Sequence, residues 1–181
     1  MKNKLKIWDL PVRLLHWLLV SSIAAAWYTS EDIGPLHEYC GYAAASAVAA
    51  RLLWSFAGSS YARFPQFVLG AGPTMAYLRQ VLAGTAPRYL GHNPLGGWMV
   101  VALLSCVGLV AFTGWLTTTE LLWGYAWPVR IHESLAWLLV ALIAAHVGGV
   151  IFTSWQHREN LVAAMFSGNK SPEESPETPA D

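Results

Sequence analysis

The sequence predicts an all-α integral membrane protein whose body is a four-helix bundle. Of its 181 residues, 55% are hydrophobic and only 12% are charged, which is about half the charged share of an average soluble domain. Four long apolar runs cover residues 14–28, 39–56, 97–116 and 131–152. With its flanks, each run reaches the roughly 20 residues that a helix needs to cross the hydrocarbon of a bilayer.

The first run is short for a span, so we expect its helix to begin near Pro11, a residue that suits a first helical turn. Residues 1–6 are basic, as in a secretory signal. However, the small residues 24–26 lie inside the apolar run, and His16 interrupts it. We therefore expect the segment to be retained as a membrane span and not removed as a signal peptide.

The cations of the chain divide unequally between the two ends of a four-span topology. Only Arg130 lies on one side, together with five carboxylates: Glu31, Asp32, Glu38, Glu120 and Glu133. The other ten cations share the opposite side: Lys2, Lys4, Lys6, Arg13, Arg51, Arg63, Arg79, Arg88, Arg158 and Lys170. Because loops rich in Lys and Arg stay in the cytoplasm, both termini are predicted to be cytoplasmic.

The connection between the second and third spans is the only long one. Its Gly72-Pro73-Thr74 segment opens a run with Met75, Leu78, Val81 and Leu82 on one side. This pattern predicts a short interfacial helix, lying on the membrane surface or packed under the bundle. Asn93-Pro94 is a good start for the third span.

The C-terminal segment from Ser171 onward is rich in Pro, Ser and acids, which predicts disorder. We therefore expect a four-span domain over residues 1–168 and a disordered cytoplasmic tail over residues 169–181.

Four histidines fall inside or at the ends of the predicted spans. His132 and His146 are 14 residues apart, which places them on one face of one helix, about 21 Å apart at roughly 1.5 Å per residue. By depth, His37 matches His132 at the outer level, and His16 matches His146 at the inner level. A histidine in a span is costly and usually has a function, although a single one can be an ordinary hydrogen-bonded core residue.

Two imidazoles from different helices at each level are what a six-coordinate haem in a helical bundle requires. Zinc or copper would want three or four ligands at one point. Isolated Cys40 and Cys106, without a Cys-x-x-Cys-His motif, imply that any haem is held non-covalently as b type. The pattern therefore predicts two haem b groups stacked across the membrane.

Arginines and small residues near these levels suggest the rest of the cofactor sites. Arg51 lies 14 residues from His37 on the same helix face, at the inner level, and can bind a haem propionate. Arg13 and Arg130 can do the same for the inner and outer haems, or extend to lipid headgroups. Small residues beside the histidines leave room for a macrocycle or serve close helix packing: Gly41, Ala43, Ala44, Ala45, Gly148 and Gly149.

Three segments resemble the bacterial cytochrome b-561 type, which includes the cytochrome b subunits of nickel–iron hydrogenases and is related to those of formate dehydrogenase. They are IWDLPVRLLHW at 7–17, YLGHNPLGG at 89–97, and the last span from IHE at 131–133 through HVGGV at 146–150 to HRENL at 157–161. The resemblance covers residues 7–168. It implies a multi-pass protein of the bacterial inner membrane, a four-helix di-haem bundle, and His16, His37, His132 and His146 as ligands.

These expectations together predict transmembrane electron transfer between a periplasmic redox partner and the quinone pool. The partner is a c-type cytochrome or a hydrogenase or dehydrogenase subunit, and no nucleic acid is expected. His92, outside the spans, is expected near a quinone or a proton entry, where a histidine titrating near neutrality supplies protons. Alternatively, His92 and Asn93 only cap a helix, and His157 is an interfacial polar residue.

Two other functions stay open. The resemblance extends to a small di-haem protein that oxidises superoxide and reduces ubiquinone, which would make the chain an enzyme. The acidic outer face would repel superoxide, however, because both carry negative charge. The chain can also be a haem-bearing membrane anchor for a dehydrogenase or hydrogenase. The sequence leaves open whether the chain has an enzymatic activity of its own.

Overall fold

A computed structural model describes residues 5–31 and 35–171. The four long helices are α1 (Leu10–Tyr28), α2 (Pro35–Ala57), α5 (Pro94–Thr117) and α6 (Ala126–Gln156). Shorter elements are a 3-10 turn (Ser60–Ala62), α3 (Phe64–Phe67), α4 (Ala71–Leu82) and α7 (Leu161–Ser167), with two strands, β1 (Leu5–Lys6) and β2 (Asn169–Lys170). The chain is therefore mostly helical, as the sequence predicts.

The long helices pack in the order α1, α2, α5, α6. One core cluster joins α2, α5 and α6, and its buried members are Ala44, Val48, Leu104, Cys106, Val107 and Leu139. In the described part of the chain, α1 and α6 share no comparable direct packing. These two helices, which carry His16 and His146, are therefore only sparsely packed against each other.

Three of the helices are long and apolar enough to cross a membrane: α1, α5 and α6, with mean hydropathies of 1.4, 2.2 and 2.3. Large apolar side chains on their surfaces, such as Leu14 and Ile151, are more than half exposed, as lipid-facing residues would be. Within the described residues, α2 does not reach that apolarity, since it carries Glu38 and Arg51. The protein is membrane-embedded, while a fourth crossing by α2 remains a prediction.

Asp9 fixes the start of α1 against the end of α2. It is the N-cap of α1 and accepts a hydrogen bond from the backbone N of Val12 at 2.9 Å. Its second carboxylate oxygen accepts from Trp54 Nε1 at 3.0 Å and from the backbone N of Ser59 at 3.3 Å. Helix α1 thus begins at Leu10, one residue before the proline that the sequence singles out.

The two ends of the described chain meet at the same end of the bundle. β1 pairs antiparallel with β2, with Leu5 opposite Lys170. The backbone N atoms of Ile7 and Trp8 both donate to Gly168 O, at 2.9 and 3.0 Å. Residues 169 and 170, which the sequence places in the tail, therefore belong to the folded body. The remainder of the predicted tail (172–181), with Lys2, Lys4 and Asp32, lies outside the described residues.

The predicted helix between the second and third long helices is present as α4, which packs against α5. Within α4, Tyr77 is buried, whereas Met75 and Leu82 are 49% and 79% exposed. Trp98 Nε1 donates to Leu69 O at 2.9 Å and so joins the start of α5 to the segment before α4. One side of α4 thus contacts the bundle, and its other apolar residues remain available to the membrane surface.

We predict that Asp9→Ala destabilises the detergent-solubilised protein by about 2 kcal/mol, because the cap and two further hydrogen bonds to a carboxylate are lost. Burial raises the pKa of Asp9, but hydrogen bonds from Ser59, Trp54 and Val12 outweigh it and hold the pKa below its ordinary value. A depressed carboxylate pKa stabilises the fold above the unfolded pKa, and this contribution is lost as the pH falls through the folded value.

Thermal unfolding followed by circular dichroism at pH 7 and at about pH 3.5 would test this. The difference between wild type and variant should be smaller at the lower pH. Glu120→Ala is a suitable control because that residue accepts no hydrogen bond from the rest of the described chain. An equal loss at both pH values would show that the charge of Asp9 contributes nothing.

Candidate functional site

The structure brings His37 and His132 together at one end of the bundle. Their ring centroids are 6.0 Å apart, and the ring planes stand at 80° to each other. His37 is the third residue of α2, and His132 lies in the N-terminal part of α6. A Cβ added to Gly114 would lie 3.0 Å from His132 Cε1, so this glycine lets α5 approach the imidazole closely.

The hydrogen bonds of this outer pair suit metal ligands. His37 Nδ1 lies 2.9 Å from Ala26 O, and His132 Nδ1 lies 3.0 Å from Val110 O. Ligating histidines usually donate their second ring nitrogen to such an acceptor, which leaves Nε2 free for the metal. Two imidazoles on one metal, each at about 2 Å, would have centroids about 6 Å apart. The observed spacing therefore fits a bis-histidine haem.

The inner pair is more open. His16 on α1 and His146 on α6 lie close enough for charges on their rings to interact. Trp17 stands edge-on to the His16 ring at 5.1 Å and stacks on Phe166 at 4.2 Å. His16 Nδ1 is buried, and no atom in the described part of the chain hydrogen-bonds to it.

Open space adjoins four glycines of the long helices. A Cβ added to Gly41, Gly108, Gly148 or Gly149 would meet no atom within 4 Å. These glycines therefore do not serve close helix contacts, which was the alternative explanation for three of them. Packing between α1 and α6 is sparse, with Trp27 and Trp137 in contact at 5.0 Å between ring centroids, and this arrangement is compatible with a macrocycle. Within the described residues, no three His, Cys, Asp or Glu side chains converge on one point.

Arg51 is the arginine that the structure places deepest in the protein, with 6% of its surface exposed. Its guanidinium donates to Ser55 Oγ and to Ala62 O, and it lies 5.7 Å from the centre of the Phe64 ring. No carboxylate of the described chain forms an ion pair with it. A buried cation without an anionic partner is costly, so this site suits an anionic group such as a propionate.

The other two arginines are placed differently. The Arg13 guanidinium donates to Met165 O at 3.3 Å and to Phe166 O, and so binds the last carbonyls of α7. These contacts join α1 to the C-terminal segment and occupy the side chain. Arg130 is exposed in the first turns of α6. The structure therefore groups Arg51, and not Arg13 or Arg130, with the buried histidines.

His92 lies in the loop before α5. With His16, His146 and Arg51 it forms what we call the inner group. Its ring contacts Trp8 and Phe67, with centroid distances of 4.7 and 4.5 Å. Its Nδ1 is buried and has no partner among the described residues. Burial lowers the pKa of His92 to about 3, and nearby Arg51, Lys170, His146 and His16 add to this effect. Burial therefore favours the neutral form of the His92 imidazole.

Sequence reasoning missed an ionic cluster that holds the loop of His92 in place. Glu159 pairs with Arg88 at 2.9 Å and with Lys170 at 3.4 Å, and Lys170 Nζ donates to Tyr89 O at 3.4 Å. Burial lowers the pKa of Lys170, and Glu159 partly opposes this. The three charges lie up to 82 residues apart in the chain, so no local pattern reveals them. The HRENL segment, which includes Glu159, was their only signal.

A family model described as prokaryotic cytochrome b561 matches residues 7–168. The chain belongs to the prokaryotic cytochrome b561 family. Three similar proteins are each named a probable Ni/Fe-hydrogenase B-type cytochrome subunit. Azotobacter vinelandii has one that is 25% identical, over 90% of this chain and 86% of its own. Those of Cupriavidus necator (24%; 91% and 86%) and Bradyrhizobium diazoefficiens (23%; 91% and 85%) are similar. No solved structure matches the chain.

Family membership confirms the resemblance seen in the sequence and defines the general chemistry. The chain is a membrane-embedded b-type cytochrome that binds haem and serves electron transfer. The outer pair, with its ligand-like spacing and hydrogen bonds, and the inner group around His16 and His146 are the candidate haem sites of this cytochrome.

Proposed function

We propose that this cytochrome carries electrons across the bacterial inner membrane through two haem b groups, between a periplasmic redox partner and the quinone pool. The observation that carries the proposal is the arrangement of four histidines as two cross-helix pairs. His132 and His146 stand on the single continuous helix α6, about 21 Å apart along its axis. Their partners, His37 and His16, come from α2 and α1.

Each pair would fill both axial positions of one haem. His37 and His132 would hold the outer haem, and His16 and His146 the inner one, with Arg51 binding a propionate of the inner haem. The haem supplies one-electron chemistry, while the protein sets position and environment. Two imidazoles holding each haem would leave no place on its iron for a substrate.

The proposed topology has four crossings, with α2 as the second, and both termini in the cytoplasm. Two features support it. The described ends of the chain pair as β1 and β2 at one end of the bundle. That end also holds most of the described cations, including Arg13, Arg63, Arg88 and Lys170, and loops rich in such residues remain cytoplasmic.

The redox partner is proposed to bind the opposite, outer end. The relatives are named as cytochrome subunits of nickel–iron hydrogenases, which makes a hydrogenase one candidate and a c-type cytochrome another. The described outer carboxylates are Glu31, Glu38, Glu120 and Glu133, against Arg130. This negative surface favours a partner with a cationic docking face and disfavours superoxide as a substrate.

We predict two haems per chain, measured by the pyridine haemochrome method on purified protein. His37→Ala or His132→Ala should remove the outer haem, and His16→Ala or His146→Ala the inner one. Each change removes one of two axial ligands, so each should lower the ratio from two to about one.

His157→Ala is the matched control, since His157 is also partly buried at the inner end but belongs to neither pair. It should retain both haems. A wild-type ratio near one, or an unchanged ratio after His37→Ala and His132→Ala, would contradict the four-ligand assignment.

The rate of electron transfer from a cationic donor should fall as salt increases. Oppositely charged surfaces attract over a Debye length of about 8–10 Å at physiological salt, so screening slows association. Stopped-flow mixing of the full-length protein with a reduced cationic c-type cytochrome can measure this rate. Glu133→Gln with Glu120→Gln should weaken the salt dependence, whereas a rate that is flat or rises with salt would argue against an electrostatically guided outer site.

His92→Phe should slow re-oxidation of the reduced haems by quinone while both haem spectra persist. The reason is position: His92 lies with Arg51, His16 and His146 at the inner level, and its neutral imidazole can hydrogen-bond a quinone oxygen. Stopped-flow mixing of dithionite-reduced protein with a short-chain ubiquinone measures the rate, with His157→Phe as control. Unchanged kinetics in His92→Phe, with loss on altering the outer loop around Ser30 to Leu36, would place the quinone site outside.

A further inference from the structure

The two histidine pairs differ in the acceptors of their second ring nitrogens. At the outer level, both Nδ1 atoms have a backbone carbonyl, Ala26 O at 2.9 Å and Val110 O at 3.0 Å. At the inner level, His16 Nδ1 is buried without any partner. His146 likewise makes no hydrogen bond to another group in the described part of the chain.

This difference acts on the electron affinity of each site. An imidazole that donates Nδ1–H to a carbonyl becomes a more basic ligand. A more basic ligand stabilises ferric iron over ferrous iron and lowers the reduction potential, which hydrogen bonding around a haem is known to tune. The outer pair should therefore hold an electron less tightly than the inner pair.

A buried charge acts in the same direction at the inner level. Arg51 interacts electrostatically with His92, which also interacts with His16 and His146, so the cation lies among the inner group. The nearest carboxylate to influence Arg51 is Asp9, and Asp9 forms hydrogen bonds with Trp54 and Ser59 instead of an ion pair with the guanidinium. In the proposed site Arg51 would pair with a haem propionate, so without Arg51 that anion would stand uncompensated beside the inner site and would lower its electron affinity, an effect that the low-dielectric surroundings strengthen.

The outer level has the opposite charge nearby. Glu133 directly follows the ligand His132, and its carboxylate interacts electrostatically with that imidazole. Glu133 is exposed, as is Arg130 on the preceding turn. Solvent screens both charges, so their effect on the outer site is smaller than that of buried Arg51 on the inner site, but the net negative surface favours the oxidised state.

We propose that Arg51 and the unequal histidine hydrogen bonds give the inner site the higher reduction potential of the two. This inference rests on the proposed ligand pairs. His37 and His132 would hold the outer haem and His16 and His146 the inner one, and each haem would supply one-electron exchange where it is held.

Spectroelectrochemical redox titration of the purified, haem-replete protein tests the proposal, with haem content measured on every sample. Wild type should show two components of equal size. Arg51→Gln should shift only the higher component to lower potential, and Glu133→Gln should shift only the lower component, by a smaller amount, to higher potential. Arg63→Gln is the matched control, because it removes the same charge at the same end from an exposed side chain, and it should move neither component.

Arg51→Lys, which keeps the charge, should leave the higher component near its wild-type position. If Arg51→Gln loses haem, Arg51→Lys and Glu133→Gln decide the matter. With two haems present, any of three results would overturn the proposal. The first is that Arg51→Gln or Arg51→Lys moves the lower component, and the second is that Glu133→Gln raises the higher one. The third is that Arg63→Gln shifts the same component as far as Arg51→Gln does. A wild-type content below two haems would instead reject the proposed function on which the inference rests.

Discussion

Polar side chains inside a membrane protein persist only where another group satisfies them, because hydrocarbon offers no water as a substitute partner. This constraint separates the buried polar groups of the cytochrome into two kinds. His37 and His132 already hydrogen-bond to backbone carbonyls. Arg51 and His16 are buried with an incomplete set of partners: the first has no counter-charge in the described chain, and the second has an orphaned Nδ1. A bound anionic cofactor would supply what Arg51 lacks.

The inner end of the bundle is held by polar contacts over long sequence separations, while the outer end is held by helix packing around the histidines. Asp9 joins α1 to α2, and Arg13 joins α1 to α7. Glu159 joins the loop before α5 to the C-terminal strand. These contacts surround His92 and fix the loop that carries it. A rigid inner end is what a site for a second, exchangeable redox partner would need, since a displaced loop would alter the distance to the inner histidines.

Helix positions and histidine levels could be predicted from the sequence because both follow from local spacing. Fourteen residues on a continuous helix place His132 and His146 on one face without any knowledge of neighbours. The carbonyl partners of Arg13 could not be predicted, since they lie more than 150 residues away in the chain. The low pKa of His92 also depends on tertiary burial between Trp8 and Phe67. Position along the chain reveals depth, but it does not reveal which polar groups meet.

The helix α2 shows how one segment can meet two demands that conflict. Its mean hydropathy is too low for it to count with α1, α5 and α6 among the candidate spans, yet it lies between α1 and α5 in the bundle. The residues that lower its apolarity include Arg51, which it buries at the inner end, and Glu38 in its first turn. Neighbouring helices shield Arg51 from lipid, and the side of α2 that carries Leu53 and Phe56 remains exposed and apolar. Were α2 the second crossing, as proposed, hydropathy alone would underestimate it because Arg51 and Glu38 lower its mean.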